Sequence, residues 1–290
     1  MLFDQVIIGL AIGASYSLIG IGFSMMFRSI GLLNFAHPHF MMIGAMVGYS
    51  LAVSLGFPMW IVVPGAAVAA GLVALGVEVF GLTPLRRRGS PQVNQIISTI
   101  GWGIILSNAA MLLWGPYPLA YPQNLSGKTF YLGAVQLSTQ NALIFGTGIV
   151  VMLLLQGFYS YTSMGLAMRA TADDPEIAML MGVKPDLVRR MTFFLSGALG
   201  GVAGAFIGSL FFASFDLGTF GMRAFSASVL GGFGNVIGAM FGGLALGVIE
   251  TLGATYISSA YKDVIAFGLV ILILLLRPDG LFNFGRRRVV

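Results

Sequence analysis

Residues 5–27 read QVIIGLAIGASYSLIGIGFSMMF, a run without a single charged side chain. About 20 mostly apolar residues are enough for a helix to cross the hydrocarbon core of a bilayer. Similar runs recur along the whole chain, so the sequence predicts an all-α polytopic membrane protein with about eight or nine transmembrane helices. The predicted spans are 5–27, 37–55, 60–83, 94–115, 140–159, 191–213, 238–258 and 262–277, together with a short or broken helix near 219–235.

Composition supports a membrane protein that forms one domain over residues 1–290. Of the 290 residues, 57% are hydrophobic and 9% are charged, whereas soluble domains carry about 25% charged residues. Cysteine is absent, which excludes disulfides, thiolate metal sites and a cysteine nucleophile. His37 and His39 are close together without a further ligand cluster, so no metal site is predicted, and no catalytic constellation stands out.

The positive charges predict the orientation of the chain. Twelve of the 15 Lys and Arg residues fall in four groups: Arg28; Arg86, Arg87 and Arg88; Arg169, Lys184, Arg189 and Arg190; and Arg277, Arg286, Arg287 and Arg288. Cytoplasmic loops are enriched in Lys and Arg, which predicts an N-terminus outside and a C-terminus in the cytoplasm. The arginine tail returns to the inside only if 219–235 also crosses the membrane; the alternative is a segment lying on the outer surface.

Two glycine patterns are typical of nucleotide-binding proteins but are incomplete here. Before Gly127-Lys128-Thr129, position 122 is Pro where a P-loop needs its first glycine. After Gly232-Phe233-Gly234, position 237 is Ile, and no βαβ unit surrounds it. We therefore expect a chain that is not an enzyme and has no nucleotide site or cofactor of its own.

The segment 169–182, RATADDPEIAMLMG, predicts a short cytoplasmic helix at about 170–183. Asp174 is a good N-cap, Pro175 suits the first helical position, and Gly182 is a typical C-terminal stop. Ile177, Leu180 and Met181 form a small apolar stripe. The acidic residues near its start disfavour an anionic lipid surface, so the pattern favours a cytoplasmic protein partner, for which a separate ATPase is the obvious candidate.

Several motifs resemble the LivH-type branched-chain amino acid ABC transporter permeases (hydrophobic amino acid uptake family). They comprise GLAIGASYSL at 9–18, GLLNFAH at 31–37, the 169–182 segment, SVLGGFGN at 228–235 with Gly238 and Glu250, YKDV at 261–264 and RPDGLF at 277–282. The resemblance covers nearly the whole chain. It implies a multi-pass subunit of the bacterial inner membrane that pairs with a second homologous permease around a pseudo-symmetric path. It also implies two cytoplasmic ATPases, which bind ATP and Mg, and a periplasmic solute-binding protein; lipid is the surrounding medium, and no nucleic acid is involved.

Two sets of site residues follow from the motifs and the resemblance. The expected ATPase-coupling residues are Arg169, Ala170, Asp173, Asp174, Glu176, Ala178 and Gly182. The candidate substrate-path residues are Asn34, His37, Ser226, Ser228 and Asn235. For each path residue the alternative is helix capping or helix–helix hydrogen bonding, and Asn34 and His37 are expected to cap the second span.

Departures from the family pattern leave the solute open. Pro38 stands where the family usually has Gly, and Arg28 where a small or aromatic residue is more usual. Relatives carry urea, short amides and aromatic acids as well as leucine-like amino acids.

An ion-coupled secondary transporter would need ionisable residues within the membrane, for which only Glu78 and Glu250 are available. A membrane-embedded enzyme and a channel are further alternatives; a channel would leave the coupling-like helix without a role.

Overall fold

A computed structural model describes residues 2–121, 129–132, 135–277 and 280–281. Predictions involving Pro122, Lys128, Pro278, Asp279, Phe282 and 286–288 lie outside the described residues. The α-helices are α1 (Leu2–Ile30), α2 (His37–Tyr49), α3 (Met59–Gly76), α4 (Thr83–Arg87), α5 (Gln92–Trp114), α6 (Thr139–Tyr161), α7 (Ser163–Asp173), α8 (Pro175–Leu180), α9 (Pro185–Leu210), α10 (Leu217–Gly231), α11 (Val236–Tyr256) and α12 (Lys262–Leu276). Two π-helical stretches, Ser50–Ser54 and Val77–Leu82, extend α2 and α3, and a 3₁₀ turn, Ser259–Tyr261, precedes α12.

Seven helices within the described part of the chain are long and apolar enough to cross a membrane. They are α1, α3 with its extension to Arg87, α5, α6, α9, α11 and α12 with its preceding turn. Two further helices, α2 and α10, are shorter and lie inside the bundle. The predicted all-α polytopic fold is confirmed, with α10 close to the short helix expected at 219–235. The sequence did not predict the short antiparallel hairpin of Thr129–Leu132 with Val135–Ser138.

The second predicted span, 37–55, is not a complete crossing. The ring Nε2 of His37 lies 3.1 Å from the carbonyl oxygen of Ile19, which is eleven residues before the end of α1. At 1.5 Å per residue, α2 therefore begins roughly 16 Å inside that end of α1. Residues 31–36 lead the chain back to this depth, and among them the N–H of Phe35 donates to Thr99 Oγ1 of α5 at 3.1 Å. This arrangement makes α2 a half-helix.

Eight of the helices pack in two layers of four. One layer has the order α5–α2–α10–α12, and the layer behind it has the order α3–α9–α1–α11. In the second layer, α9, α1 and α11 pack on α2, α10 and α12, and the π-helical extension of α3 packs on α5. Helix α6 also packs on α1. We call the α5–α2–α10–α12 layer the front layer. Its two central members are the half-helices.

The contacts define an inverted structural repeat. Exchanging α1, α2, α3 and α5 with α9, α10, α11 and α12 maps the principal contacts onto one another: α1 packs along α11 as α9 packs along α3. The linkers agree, because six residues separate α1 from α2 and also α9 from α10. Since α1 and α9 run in opposite directions, the two halves have opposite topology. Such repeats are common in transporters.

Glycines allow the central helices to touch backbone to backbone, as small residues do in membrane proteins. A side-chain carbon built on Gly13 would lie 2.9 Å from the carbonyl oxygen of Gly243 on α11. On α9, Gly204 faces the backbone of α2 at Met41 and Ala45, and Gly201 faces the backbone of α3. These glycines therefore allow the close helix crossings at the centre of the bundle.

Most of the described basic groups lie at one end of the bundle, which we call the arginine-rich side. Arg28 ends α1, and Gly234, after α10, packs beside it. Arg28 and Arg169 both lie near the ring of Tyr159, at 5.7 and 6.0 Å from its centroid. Leu281 N donates to Leu230 O at 2.9 Å, so the last described residues return to this side. The α10 segment therefore ends on the arginine-rich side, as the predicted crossing of 219–235 requires.

Candidate functional site

The predicted capping of α2 by Asn34 and His37 is wrong, because no side chain caps the first turn of this helix. Asn34 is buried, and its Oδ1 accepts from Ala36 N at 2.9 Å, just before α2. His37 does not cap the helix: its fully buried ring donates from Nε2 to Ile19 O, and its Nδ1 accepts from Ser196 Oγ at 3.1 Å. This imidazole joins three helices, α1, α2 and α9. With both nitrogens engaged, the ring has no free position for a solute.

The other three predicted path residues are also buried or hydrogen-bonded within the chain. Ser228 Oγ lies 2.8 Å from Ser24 Oγ, which links α10 to α1. Asn235 is the N-cap of α11, where its Oδ1 accepts from Gly238 N at 3.1 Å. Ser226 is fully buried on α10, and its hydroxyl has no hydrogen-bond partner among the described residues. Of the three, Ser228 links the half-helix α10 to a neighbouring helix through its side chain.

Sequence reasoning missed a charged network between α1, α10, α11 and α12. Glu250 is 4% exposed, and its carboxylate accepts from the Tyr16 hydroxyl at 2.8 Å. A guanidinium nitrogen of Arg223 lies 3.6 Å from the other carboxylate oxygen of Glu250. The same guanidinium binds Asp263 at the start of α12 through two nitrogens. Opposite charges on predicted spans were the available signal, because ionisable groups inside membranes pair with one another.

The acidic residues considered for ion coupling both have partners. Glu78 is fully buried and forms an ion pair with Arg86, two turns further along the same helical segment, while Thr83 Oγ1 lies 3.3 Å from it. Glu250 belongs to the network described above. Paired carboxylates are what a structural role predicts, so the geometry offers no specific support for an ion-coupled mechanism.

The expected single helix at 170–183 is two helices separated at Asp174. The residue has extended backbone, and its Oδ1 accepts from Glu176 N at 2.9 Å and from Ile177 N at 3.0 Å. It therefore ends α7 and caps α8, because a side-chain oxygen here satisfies amides that have no helical partner. Gly182 has a φ of 86° and stops the helix. Arg169, Ala170 and Asp173 consequently lie on α7.

The outer face of α8 and the following turn is apolar and exposed. Leu180 is 87% exposed and Met181 80% exposed, and Ile177 and Met179 are exposed beside them. A cleft of about 730 Å³ lies between this turn and the start of α9, with Lys184, Asp186 and Arg190 in its lining. An apolar patch of this kind on a polar side of the protein is typical of a protein-binding surface. We call Ile177, Met179, Leu180 and Met181 the α8 patch.

Two predicted coupling residues face the interior. Ala178 is 3% exposed because α8 packs this side against the bundle. Arg169 donates to the Ser160 carbonyl at 3.1 Å, which ties α7 to the end of α6. Asp173 and Glu176 are exposed, whereas Ala170 and Asp174 are partly buried. The structure thus places Asp173 and Glu176 at the surface beside the α8 patch, while Arg169 and Ala178 position the two helices.

The Asp174 cap gives a first testable prediction. Replacing Asp174 with Ala removes the acceptor for two amides, and loss of an N-cap destabilises a helix by about 1 kcal/mol. We expect faster hydrogen exchange at Glu176 and Ile177, whereas the Asp174→Asn variant, which retains an acceptor, should exchange nearly as the parent. Equal exchange in the Ala variant and the parent would show that packing alone holds α8.

The fold and these surfaces define a class: a polytopic membrane protein with an inverted repeat, interior half-helices and an exposed two-helix extension. The family model for the permease component of branched-chain amino acid transport systems matches residues 5–274. The chain therefore belongs to this family of transport permeases.

Two branched-chain amino acid permeases are similar to this chain along almost their full length. The high-affinity branched-chain amino acid transport system permease protein LivH of Salmonella typhimurium is 36% identical, over 97% of this chain and 95% of the relative. The corresponding protein BraD of Pseudomonas aeruginosa is also 36% identical, with the same coverage. A chain in the solved structure of PsaBC from Streptococcus pneumoniae in complex with Fab matches with a TM-score of 0.52. That match covers 95% of this chain and 91% of the other at 16% identity, and it concerns the fold alone.

Proposed function

We propose that this chain is the permease subunit of an ATP-binding-cassette importer for branched-chain and other hydrophobic amino acids. The observation that carries the proposal is the 36% identity over 97% of the chain to permeases named for branched-chain amino acid transport. Family membership supports a multi-pass protein of the inner membrane and a transport subunit that is not an enzyme. In this proposal the solute is selected first by a periplasmic binding protein.

The proposed partners are a second homologous permease and two cytoplasmic ATPases, in addition to the binding protein. ATP and Mg would bind to the ATPases, because the glycine patterns of this chain depart from nucleotide-binding motifs at positions 122 and 237. The α8 patch supports an ATPase contact, since it leaves four apolar side chains uncovered beside Asp173 and Glu176. Cytoplasmic loops are rich in Lys and Arg, so we assign the arginine-rich side to the cytoplasm and the N-terminus to the outside.

The geometry suggests how ATP would be coupled to transport. The short α8 is joined to α7 through Asp174 and to α9 through the turn at Gly182. Displacement of α8 by an ATPase would therefore move α7, whose Arg169 binds the end of α6. It would also move α9, which lies in the middle of the second layer. Rocking of the two inverted halves would then open the path alternately to each side.

The coupling proposal predicts the effect of a charge in the α8 patch. We expect Leu180→Asp to abolish ATPase co-purification and uptake while the permease still accumulates, because the site is 87% exposed and makes little contribution to the fold. Ser259→Asp adds the same charge at an exposed residue before α12, remote from α8, and serves as the matched control. Normal ATPase recovery with Leu180→Asp would contradict a contact at this patch.

The function itself can be tested by purifying the tagged chain from its native cells in mild detergent and identifying what accompanies it. We expect a second permease and two ATPases, and the reconstituted complex with its binding protein should import leucine, isoleucine or valine on addition of ATP and Mg. Import of urea, short amides or aromatic acids in their place would redirect the substrate assignment. Recovery of the chain alone after gentle crosslinking would overturn the ATPase-driven mechanism.

A further inference from the structure

We propose that His39, rather than His37, faces the transported solute and helps to determine which solutes pass. The inference rests on the proposed function for the identity of the solute, a small zwitterionic amino acid. It rests on the structure for the position of the residue. His39 lies in the first turn of the half-helix α2, at the centre of the front layer.

The two histidines point in opposite directions. Residues two apart on an α-helix are separated by about 200° around its axis. His37 points back into the second layer, where it contacts α1 and α9. His39 therefore points forward, and it is partly exposed, whereas His37 is fully buried.

Two glycines form a slot for the His39 ring. A side-chain carbon built on Gly103 of α5 would lie 2.7 Å from Cε1 of the ring, and one built on Gly218 of α10 would lie 2.7 Å from Cδ2. Any larger residue at either position would displace the imidazole. The ring thus lies where α2, α5 and the first turn of α10 meet, and Thr219, the residue after Gly218, is exposed.

One ring nitrogen of His39 has no hydrogen bond to the described residues. Nδ1 is buried, and no described residue meets it in hydrogen-bond geometry; the Phe35 backbone lies near the ring. An unpaired polar group at membrane depth is unfavourable, and a role in binding a solute would explain it. Neutral imidazole offers one donor and one acceptor, which suits the ammonium and carboxylate groups of an amino acid.

Broken helices at membrane depth agree with this assignment. Non-regular backbone is tolerated there only when protein buries it or when it lines a wet cavity. Six-residue linkers, 31–36 and 211–216, lead into the two half-helices, and the His39 slot lies where the half-helices meet. We infer that the path runs along the front layer at this point.

The absence of native cysteine permits a direct test in the assembled transporter. We expect His39→Cys to react with the methanethiosulfonate reagent MTSET and saturating leucine to slow the reaction several-fold. His37→Cys should stay unreactive, and Thr219→Cys, at the exposed neighbour on α10, should report that the reagent reaches the front layer. Co-purification of the partner subunits establishes that each variant is assembled.

An unreactive His39→Cys in a complex whose Thr219→Cys reacts would overturn the proposal, as would reaction that leucine leaves unchanged while uptake of leucine is intact. Failure of the wild-type complex to import any amino acid would instead contradict the proposed function. In that case, protection of His39→Cys by another imported solute would retain the site and change only its ligand.

Glycine substitutions on α5 supply a second readout. Gly103→Ala should displace the ring and change the ratio of leucine to phenylalanine uptake several-fold, by altering KM more than kcat. Gly101→Ala is the matched control, because a side-chain carbon there would meet no atom within 4 Å. Equal selectivity in the Gly103→Ala variant and the parent would contradict a role for the ring in solute choice.

Discussion

Replacing Arg223 with leucine is expected to destabilise the folded protein by about 3–5 kcal/mol, the range for removing one partner of a buried ion pair. The change leaves the carboxylate of Glu250 at 4% exposure without its arginine, while the Tyr16 hydroxyl still donates to it. It also removes the ion pair with Asp263 that links α12 to the half-helix α10. We expect little protein to accumulate in the membrane and a large drop in thermal stability in detergent.

A double substitution distinguishes loss of charge balance from loss of packing. Arg223→Leu combined with Glu250→Leu removes both charges, and replacing a buried pair with apolar groups is often close to neutral, so stability should largely return. Arg189→Leu, which breaks an exposed pair with Asp186 at 3.2 Å, should change stability by less than about 1 kcal/mol. If the double variant is no more stable than Arg223→Leu alone, the network is not held together by its charges.

The second large effect is expected at Gly204, where α9 crosses the half-helix α2. A side-chain carbon there would overlap the Met41 carbonyl and lie 2.8 Å from Ala45 N, and backbone atoms cannot rotate away as a side-chain end can. Gly204→Ala should therefore separate the helices and destabilise the protein by roughly 1–3 kcal/mol, the usual range for overpacking. Thermal unfolding of the purified chain measures the loss.

The matched control is Gly146→Ala on α6, where a side-chain carbon would meet nothing within 4 Å. Alanine favours a helix over glycine by up to about 1 kcal/mol, so this variant should be neutral or slightly stabilised. Both variants carry a Gly→Ala change, so opposite signs of their changes in stability would show the effect of the α9–α2 crossing itself. A neutral Gly204→Ala would mean that α2 can shift on α9 without penalty.

Hydrophobic patterning predicted the helices because the thickness of the membrane sets the length of a helix that spans it. The seven long helices lie close to the predicted spans, and the charge rule also identified the α10 segment, which hydropathy left ambiguous. The extent of α2 was not predicted: the 37–55 run is apolar throughout, and composition does not show that its start lies beside Ile19. Only the neighbouring helices reveal that depth.

The site was predicted less well than the fold, for a related reason. Asn34, His37 and Ser228 are polar residues in apolar sequence, and such residues occur both along solute paths and in helix contacts. Their hydrogen bonds to Ala36, Ile19 and Ser24 assign them to the interior of the bundle. Asp174 was identified correctly as a cap because capping depends on adjacent residues. The burial of Ala178 could not be predicted in this way because it depends on α9.

Because the repeat is inverted, the observed conformation also indicates the shape of a second conformation. The halves α1–α5 and α9–α12 share a contact pattern but enter the membrane from opposite sides. If each half took up the backbone shape that the other has now, the opening of the path would pass to the opposite face. The half-helices differ at their ends, because α2 ends in a π-helical stretch and α10 ends at Gly231. We therefore expect the chain to bend at these places if the two halves exchange shapes.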